Sequence, residues 1–425
     1  MTEPVTRIDP ERWLQSEAAG AMDFLNGVAE RFPHTISLAA GRPPDDLLGA
    51  SRIPQLLEAG VAYEAQRNRM DHDAAWRRFG QYSDTNGIIL PVLARLLERT
   101  EEIDVDGLSL QVTNGIQEAL LIECLRAASE GGAAIAFDPA YVGMAGAAAV
   151  AGLPLYVTPR RSDPIAALAE ATRRARRDTG GPLLCYVVAD HDNPSALTMS
   201  LTERKALVAL AADEGLLILE DTAYRLFNYQ EERTQSLLSL DQSANVVHMV
   251  SFSKTFMPGL RFGFTARQGE RSAAPADFSR LTSIKSFTSV LTSPLVQATV
   301  CGFLEEIDFD LDTENQARRA RCRQNRDVLL SVLSENLGEV EGVHWTAPLG
   351  GFFITVRVPF AMRGADAIAA AEENGVLTVP MQLFSPTGSM GDLVRLSFST
   401  GSAEQIAEGG RRFSAYVRSR LAGSA

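Results

Sequence analysis

The sequence predicts an α/β protein: a large domain on a mainly parallel sheet between helices, followed by a smaller α+β domain. Three observations carry this reading. The chain has 425 residues, 45% of them hydrophobic, enough for more than one core. Short apolar runs at 108–112, 133–137, 155–157, 183–188, 216–219 and 246–250 alternate with helical patterns, which implies parallel strands joined by right-handed crossovers. A second set of strand patterns, 351–358, 375–379 and 393–398, follows an arginine-rich helical stretch at 318–325.

From the N-terminus, residues 22–31 read as a helix. The run Thr35-Ile36-Ser37-Leu38 then leads into Ala39-Ala40-Gly41-Arg42-Pro43-Pro44, extended chain closed by turn residues. These features divide the chain into an N-terminal segment that joins the small domain (1–48), a large domain (49–310) and a C-terminal small domain (311–425). Residues 143–157 are weakly polar but interrupted by Pro154 and too short for a membrane helix, so they read as a buried helix and strand. The basic run Arg173-Arg174-Ala175-Arg176-Arg177 reads as a solvated helix face.

Composition narrows the function. Forty basic against 53 acidic residues give a net charge of −13, which argues against nucleic-acid binding, because neutralising phosphates needs a basic face. Residues 1–13 hold charge and proline in place of an apolar core, so no signal peptide or membrane anchor is expected. Cys124, Cys185, Cys301 and Cys322 are scattered, without metal-knuckle spacing, as suits a reducing cytoplasm. Small-molecule partners are favoured.

The most informative stretch is Ser251-Phe252-Ser253-Lys254 with Arg261 seven residues on. A lysine at a strand exit, beside hydroxyls and a guanidinium, suits imine formation with a phosphate-bearing aldehyde. Alone the stretch also reads as a surface turn. Others accompany it. Asp190-His191-Asp192-Asn193-Pro194 leaves one strand, where Asn193 can donate to a phenolate oxygen, although Asn-Pro also starts plain turns and His191 reads equally as a turn histidine. The strand at 216–219 ends in Glu220-Asp221, with Tyr224 beyond; a buried Asp221 needs a cation, which a protonated pyridine supplies, and a helix cap is the bland alternative.

Gly115-Ile116-Gln117 opens a helix, where free N–H groups and a glycine suit phosphate. Tyr141, past the strand at 133–137, offers an aromatic face for stacking or for packing. Arg395 sits in an apolar strand pattern. It can bind a substrate carboxylate from inside or lie on the solvent face, since alternation does not distinguish the two.

Taken in order, these motifs resemble the class I/II aminotransferases of pyridoxal-phosphate fold type I, over roughly residues 22–399. The resemblance implies a seven-stranded-type sheet in the large domain and pyridoxal 5'-phosphate as cofactor. It implies that Lys254 forms the imine, Asp221 pairs with the pyridine nitrogen, Asn193 and Tyr224 bind the ring oxygen, and Tyr141 stacks on the ring. Gly115, Ile116, Gln117, Ser251, Ser253 and Arg261 would surround the phosphate, and Arg395, with Asn193, Gly41 and Arg42 near by, would receive the substrate. Tyr82 matches a tyrosine sent to the neighbouring subunit's phosphate, which implies a homodimer with shared active sites.

Within the group, Ala21 to Asn26, the Ala40-Gly41-Arg42-Pro43 turn and the Tyr186 to Pro194 stretch look nearest to arylglycine (3,5-dihydroxyphenylglycine-type) transaminases of antibiotic biosynthesis. Three positions depart from the family pattern: Ser195-Ala196 for Ser/Thr-Gly, Ile116 for a small or hydroxyl residue, and Met381 for the glycine after Pro380. The expected reaction is ping-pong exchange of an amino group between an amino acid and a 2-oxo acid. The alternative is another reaction on the same cofactor, such as decarboxylation, lyase or cyclase chemistry, or oxidation. A transcription regulator with this fold is a weaker rival, because no recognition helix precedes Gly41.

Overall fold

The computed structural model describes residues 5–268 and 276–423. Its strands, in chain order, are β1 (Thr6–Ile8), β2 (Ile36–Ser37), β3 (Leu108–Thr113), β4 (Ala133–Asp138), β5 (Leu155–Pro159), β6 (Leu183–Val187) and β7 (Leu216–Asp221). They continue with β8 (Val246–Ser251), β9 (Gly263–Gln268), β10 (His344–Trp345), β11 (Phe353–Arg357), β12 (Val376–Leu377), β13 (Val379–Pro380) and β14 (Leu393–Ser397).

The large sheet runs β1-β5-β4-β6-β7-β8-β9-β3. β5, β4, β6, β7 and β8 are parallel neighbours. All residues of β4 and β6 are buried, as expected for strands covered by helices on both faces. β9 is antiparallel to β8, and β3 to β9.

The sheet therefore has eight strands where seven were expected. The extra one is β1, which pairs antiparallel with β5 through Thr6↔Val157 and Ile8↔Leu155. Three residues are too few to show a hydrophobic period. β9 also escapes the pattern, because Thr265 and Arg267 are buried within it; Arg267 is satisfied by Glu123, another buried residue.

The second sheet is antiparallel, ordered β10-β11-β14-β13. The stretch expected as one strand at 375–379 is divided: β12 pairs in parallel with β2, and β13 pairs with β14. The N-terminal segment thus reaches both parts of the molecule, β1 adding to the large sheet and β2 pairing with β12. The expected helix at 22–31 is Ala21–Arg31, the arginine-rich one is the long Gln316–Leu337 helix, and in Pro164–Asp178 Arg173, Arg176 and Arg177 are exposed, Arg174 is half-buried and Ala175 is buried. Among the described residues no helix is long and apolar enough to cross a membrane, and no His/Cys/Asp/Glu group could hold a metal.

Helices Ile53–Arg67 and Pro294–Glu306 cross at two glycines. A Cβ on Gly60 would lie 1.8 Å from the Ala298 carbonyl oxygen, and one on Gly302 1.9 Å from that of Leu56. Both obstacles are backbone, so no side chain can move aside. Gly60→Ala is expected to destabilise the protein by about 3 kcal/mol or more, visible as a lower melting temperature in circular dichroism; an unchanged melting curve would refute this crossing.

Candidate active site

The polar side chains gather where the parallel strands end. β8 closes at Ser251, whose hydroxyl accepts from the Ser253 N–H at 3.2 Å and caps the short helix Phe252–Thr255 that carries Lys254. The chain then turns through Pro258–Leu260 to Arg261, which has φ +50° and donates from Nη1 to Ser253 Oγ at 3.2 Å.

Gly115 lies against this guanidinium at φ +75°, and a Cβ there would fall 2.6 Å from Arg261 Nη2. The first N–H groups of helix Ile116–Ser129 open beside them. Gly115, with Ile116 and Gln117 after it, thus meets Arg261 and, through it, Ser253 and Ser251, with Arg261 exposed. Such an arrangement of helix start, hydroxyls and guanidinium suits a phosphate.

β7 ends at Asp221. Its carboxylate accepts from the Tyr186 hydroxyl at 2.9 Å and from the Ala223 N–H at 3.0 Å. Burial raises the Asp221 pKa, and the two donors and Lys254 pull the other way. Lys254 Nζ lies 5.8 Å from the Tyr224 ring centroid and donates to the Gly41 carbonyl at 2.5 Å. Burial first, and then the charge of Arg395, bring the lysine's pKa down to about 8. Tyr141 is close enough to Asp221 and Arg261 to feel both, and burial pushes its phenol up to about 12. The Tyr224 phenol is pushed up too, and its ring meets Phe352 and Phe353 edge-on.

Arg395 points inward, so the solvent-face reading of its strand is excluded: it is 3% exposed. Nη1 donates to Asn193 Oδ1 at 2.7 Å and Nη2 to the Ala39 carbonyl at 2.8 Å. Its guanidinium lies 4.1 Å from the Phe353 ring centroid and 4.5 Å from that of Phe384. Burial lowers its pKa to about 10.

Two expected residues stand apart. Arg42 turns its side chain to Asp45 at the surface, at 3.2 Å, and its carbonyl accepts from Ser399 Oγ at 2.6 Å. Tyr82 is 85% exposed and touches none of this constellation. His191 is a buried turn residue at φ +54°, its ring seated where Gly350 and Gly351 leave room. Tyr186, Phe353 and Phe384 were not singled out from the sequence, because each reads there as ordinary strand or core.

The residues present fit pyridoxal phosphate. The missing Cβ of Gly115 leaves room against Arg261, and buried Asp221 calls for a cation. Among the described residues, Gln117 Oε1 and Arg395 Nε are buried without partners, as at a site that receives polar ligand atoms.

The family Aminotransferase class I and II matches residues 37–413. The chain belongs to the class I and II aminotransferases.

Among relatives of this aminotransferase, the (S)-3,5-dihydroxyphenylglycine transaminase of Amycolatopsis orientalis is 35% identical, over 96% of this chain and 93% of that one. The 2-aminoadipate transaminase of Thermus thermophilus is 30% identical, over 80% and 82%. The crystal structure of a multiple substrate aminotransferase from Thermococcus profundus superimposes with a TM-score of 0.81 at 25% identity, covering 96% of this chain and 98% of that one. The aminotransferase is a pyridoxal-phosphate enzyme, and its fold is that of fold type I.

Two outcomes follow for the aminotransferase. An amine attacks an aldehyde only when neutral, so if Lys254 takes the cofactor, cofactor-free protein should take up pyridoxal phosphate faster as pH rises, levelling above about 8. Stopped-flow absorbance across pH measures it; a rate flat from pH 6 to 10 is the contrary result. Ala196 holds φ +60°, left-handed backbone that favours glycine. Ala196→Gly should therefore stabilise the protein by about 1 kcal/mol, read as a raised melting temperature.

Proposed function

We propose that this aminotransferase moves the amino group between an aryl-bearing α-amino acid of the arylglycine type and a 2-oxo acid. The observation that carries this is the 35% identity, along 96% of the chain, to a dihydroxyphenylglycine transaminase. Two phenylalanine rings beside the buried Arg395 agree with an apolar substrate side chain. The same likeness favours a place in antibiotic biosynthesis, in the cytoplasm, and a homodimer in which exposed Tyr82 reaches the phosphate of the second copy.

Bound pyridoxal phosphate supplies an aldehyde for the donor's amine and an electron-withdrawing ring. Lys254 would hold it covalently, with its phosphate among Gly115, Ile116, Gln117, Ser251, Ser253 and Arg261. Asp221, kept in place by Tyr186 and Ala223, would offer its carboxylate to the ring nitrogen. Asn193 and Tyr224 would bind the ring oxygen, and Tyr141 would cover the ring. Arg395 takes the substrate carboxylate as a fork, with Asn193 beside it. Lys254, with a pKa near 8 before it engages the cofactor, is suited to carry a proton to and from the substrate α-carbon. The Gly41 carbonyl that holds its Nζ marks where that proton carrier rests.

Three measurements test the assignment. Lys254→Ala should lose about 10⁴-fold or more in kcat, as expected when a covalent group and proton carrier are removed together. Arg395→Gln should raise KM for every amino donor by roughly tenfold or more, the worth of a charge-assisted fork. Purified enzyme supplied with single donors and 2-oxoglutarate should show higher kcat/KM for an arylglycine than for alanine or aspartate. A preference for the acidic or small donor would refute the aryl assignment while leaving transamination intact.

A further inference from the structure

A cavity lies beside Asn193, where residues at the ends of β4 and β5 meet residues of the small sheet. It measures about 430 Å³, and Phe137, Trp345, Met381 and Leu393 provide much of its apolar wall. Its lining contains none of the residues gathered around Lys254.

Two of its side chains are charged and unusually placed. Arg160, half-buried, stacks with its guanidinium 4.4 Å from the Phe137 ring centroid and has no carboxylate within salt-bridge distance among the described residues. Asp192 is buried and uses Oδ2 to accept from Ser195 Oγ at 2.5 Å. Its carboxyl is pushed up by burial, and Arg160 is the strongest influence in the other direction. The remaining charges are occupied or at the rim. Asp138 accepts from the hydroxyls of Ser385, Thr387 and Ser389, Arg357 is paired with Asp392, and His344 is exposed.

An unpaired guanidinium and a carboxylate on one apolar cavity suit a ligand with both charges and a flat hydrophobic body. A simple anion would meet Arg160 but be repelled by Asp192, and a simple cation would meet the reverse. A zwitterion satisfies both. We propose that this cleft is a second, non-catalytic binding site for an aromatic α-amino acid. Its carboxylate pairs with Arg160, its ammonium faces Asp192, and its ring lies among Trp345, Met381 and Leu393.

The cleft adjoins the catalytic fork through one layer of protein. Thr355, on its wall, stands directly opposite Arg395 in the β11–β14 register, and its hydroxyl donates to the Pro194 carbonyl at 3.5 Å. Occupancy therefore bears on the group that holds the substrate carboxylate, and a ligand here changes KM in preference to kcat.

The test uses holoenzyme reduced with borohydride, which fixes the cofactor to Lys254 and stops turnover. Equilibrium dialysis against labelled L-phenylalanine should give about one equivalent bound per chain at millimolar ligand. Arg395→Gln should leave that binding within about twofold, whereas Arg160→Gln should weaken it by roughly tenfold or more, the worth of a charge-assisted pair. Leu393→Trp, which fills the cleft without altering a charge, should abolish it, and circular dichroism checks that each variant is folded. Absence of binding, or a larger loss in Arg395→Gln than in Arg160→Gln, overturns the proposal. Failure of the Lys254 assignment would show separately, as reduced protein without a pyridoxyl absorbance.

Discussion

Arg225 ties together the floor on which the site stands. Buried beneath the strand ends, its Nε and Nη2 each bind Glu101 at 2.9 Å, and Nη1 binds Asp190 at 3.1 Å. Arg204 holds both oxygens of Asp190 from the other side. His248 Nδ1 lies 2.7 Å from Glu220, which also accepts from the Leu237 and Leu238 N–H groups. Three carboxylates thus face two guanidiniums and an imidazole. Burial by itself depresses the His248 pKa, yet the Glu220 charge and hydrogen bond outweigh it and raise the value. Buried charge is costly unless paired and fully hydrogen-bonded, and loss of one partner leaves the rest stranded.

This network matters because its members neighbour the site residues in sequence. Glu220 precedes Asp221, Arg225 follows Tyr224, Asp190 lies three residues before Asn193, and His248 sits on the strand that delivers Ser251 and Lys254. Fixing the first set of side chains therefore fixes the backbone that presents the second. The pair Asn193–Arg395 then joins the large sheet to the small one, and the aromatic contacts of Tyr224 with Phe352 and Phe353 reinforce that seam. The constellation around Lys254 depends on both sheets being held in register.

Much of this was legible before the fold was known. β4, β6, β7 and β8 stand out as continuous apolar runs because both of their faces are covered, and polar residues at their exits mark where ligands collect. β1 and β10 did not stand out, being three and two residues long. β9 was hidden by Thr265 and Arg267, two buried polar residues, of which Arg267 is paired with Glu123. Tyr186 has no local signal at all: its role appears only when Asp221 arrives beside it from the next strand.

By itself the sequence determined which chemical groups the protein owns and at which strand exits they emerge, since hydrophobic period and turn chemistry act over a few residues. That sufficed for Lys254, Asp221, Asn193, Tyr224 and the Gly115 turn. Only the tertiary structure decided that Arg395 faces inward, that the Gly41 carbonyl meets Lys254, and that Arg42 turns away to Asp45. Alternation along a strand defines two faces without saying which is buried. Contacts such as that of Gly41 with Lys254 join groups 213 residues apart, which packing of the whole chain brings together.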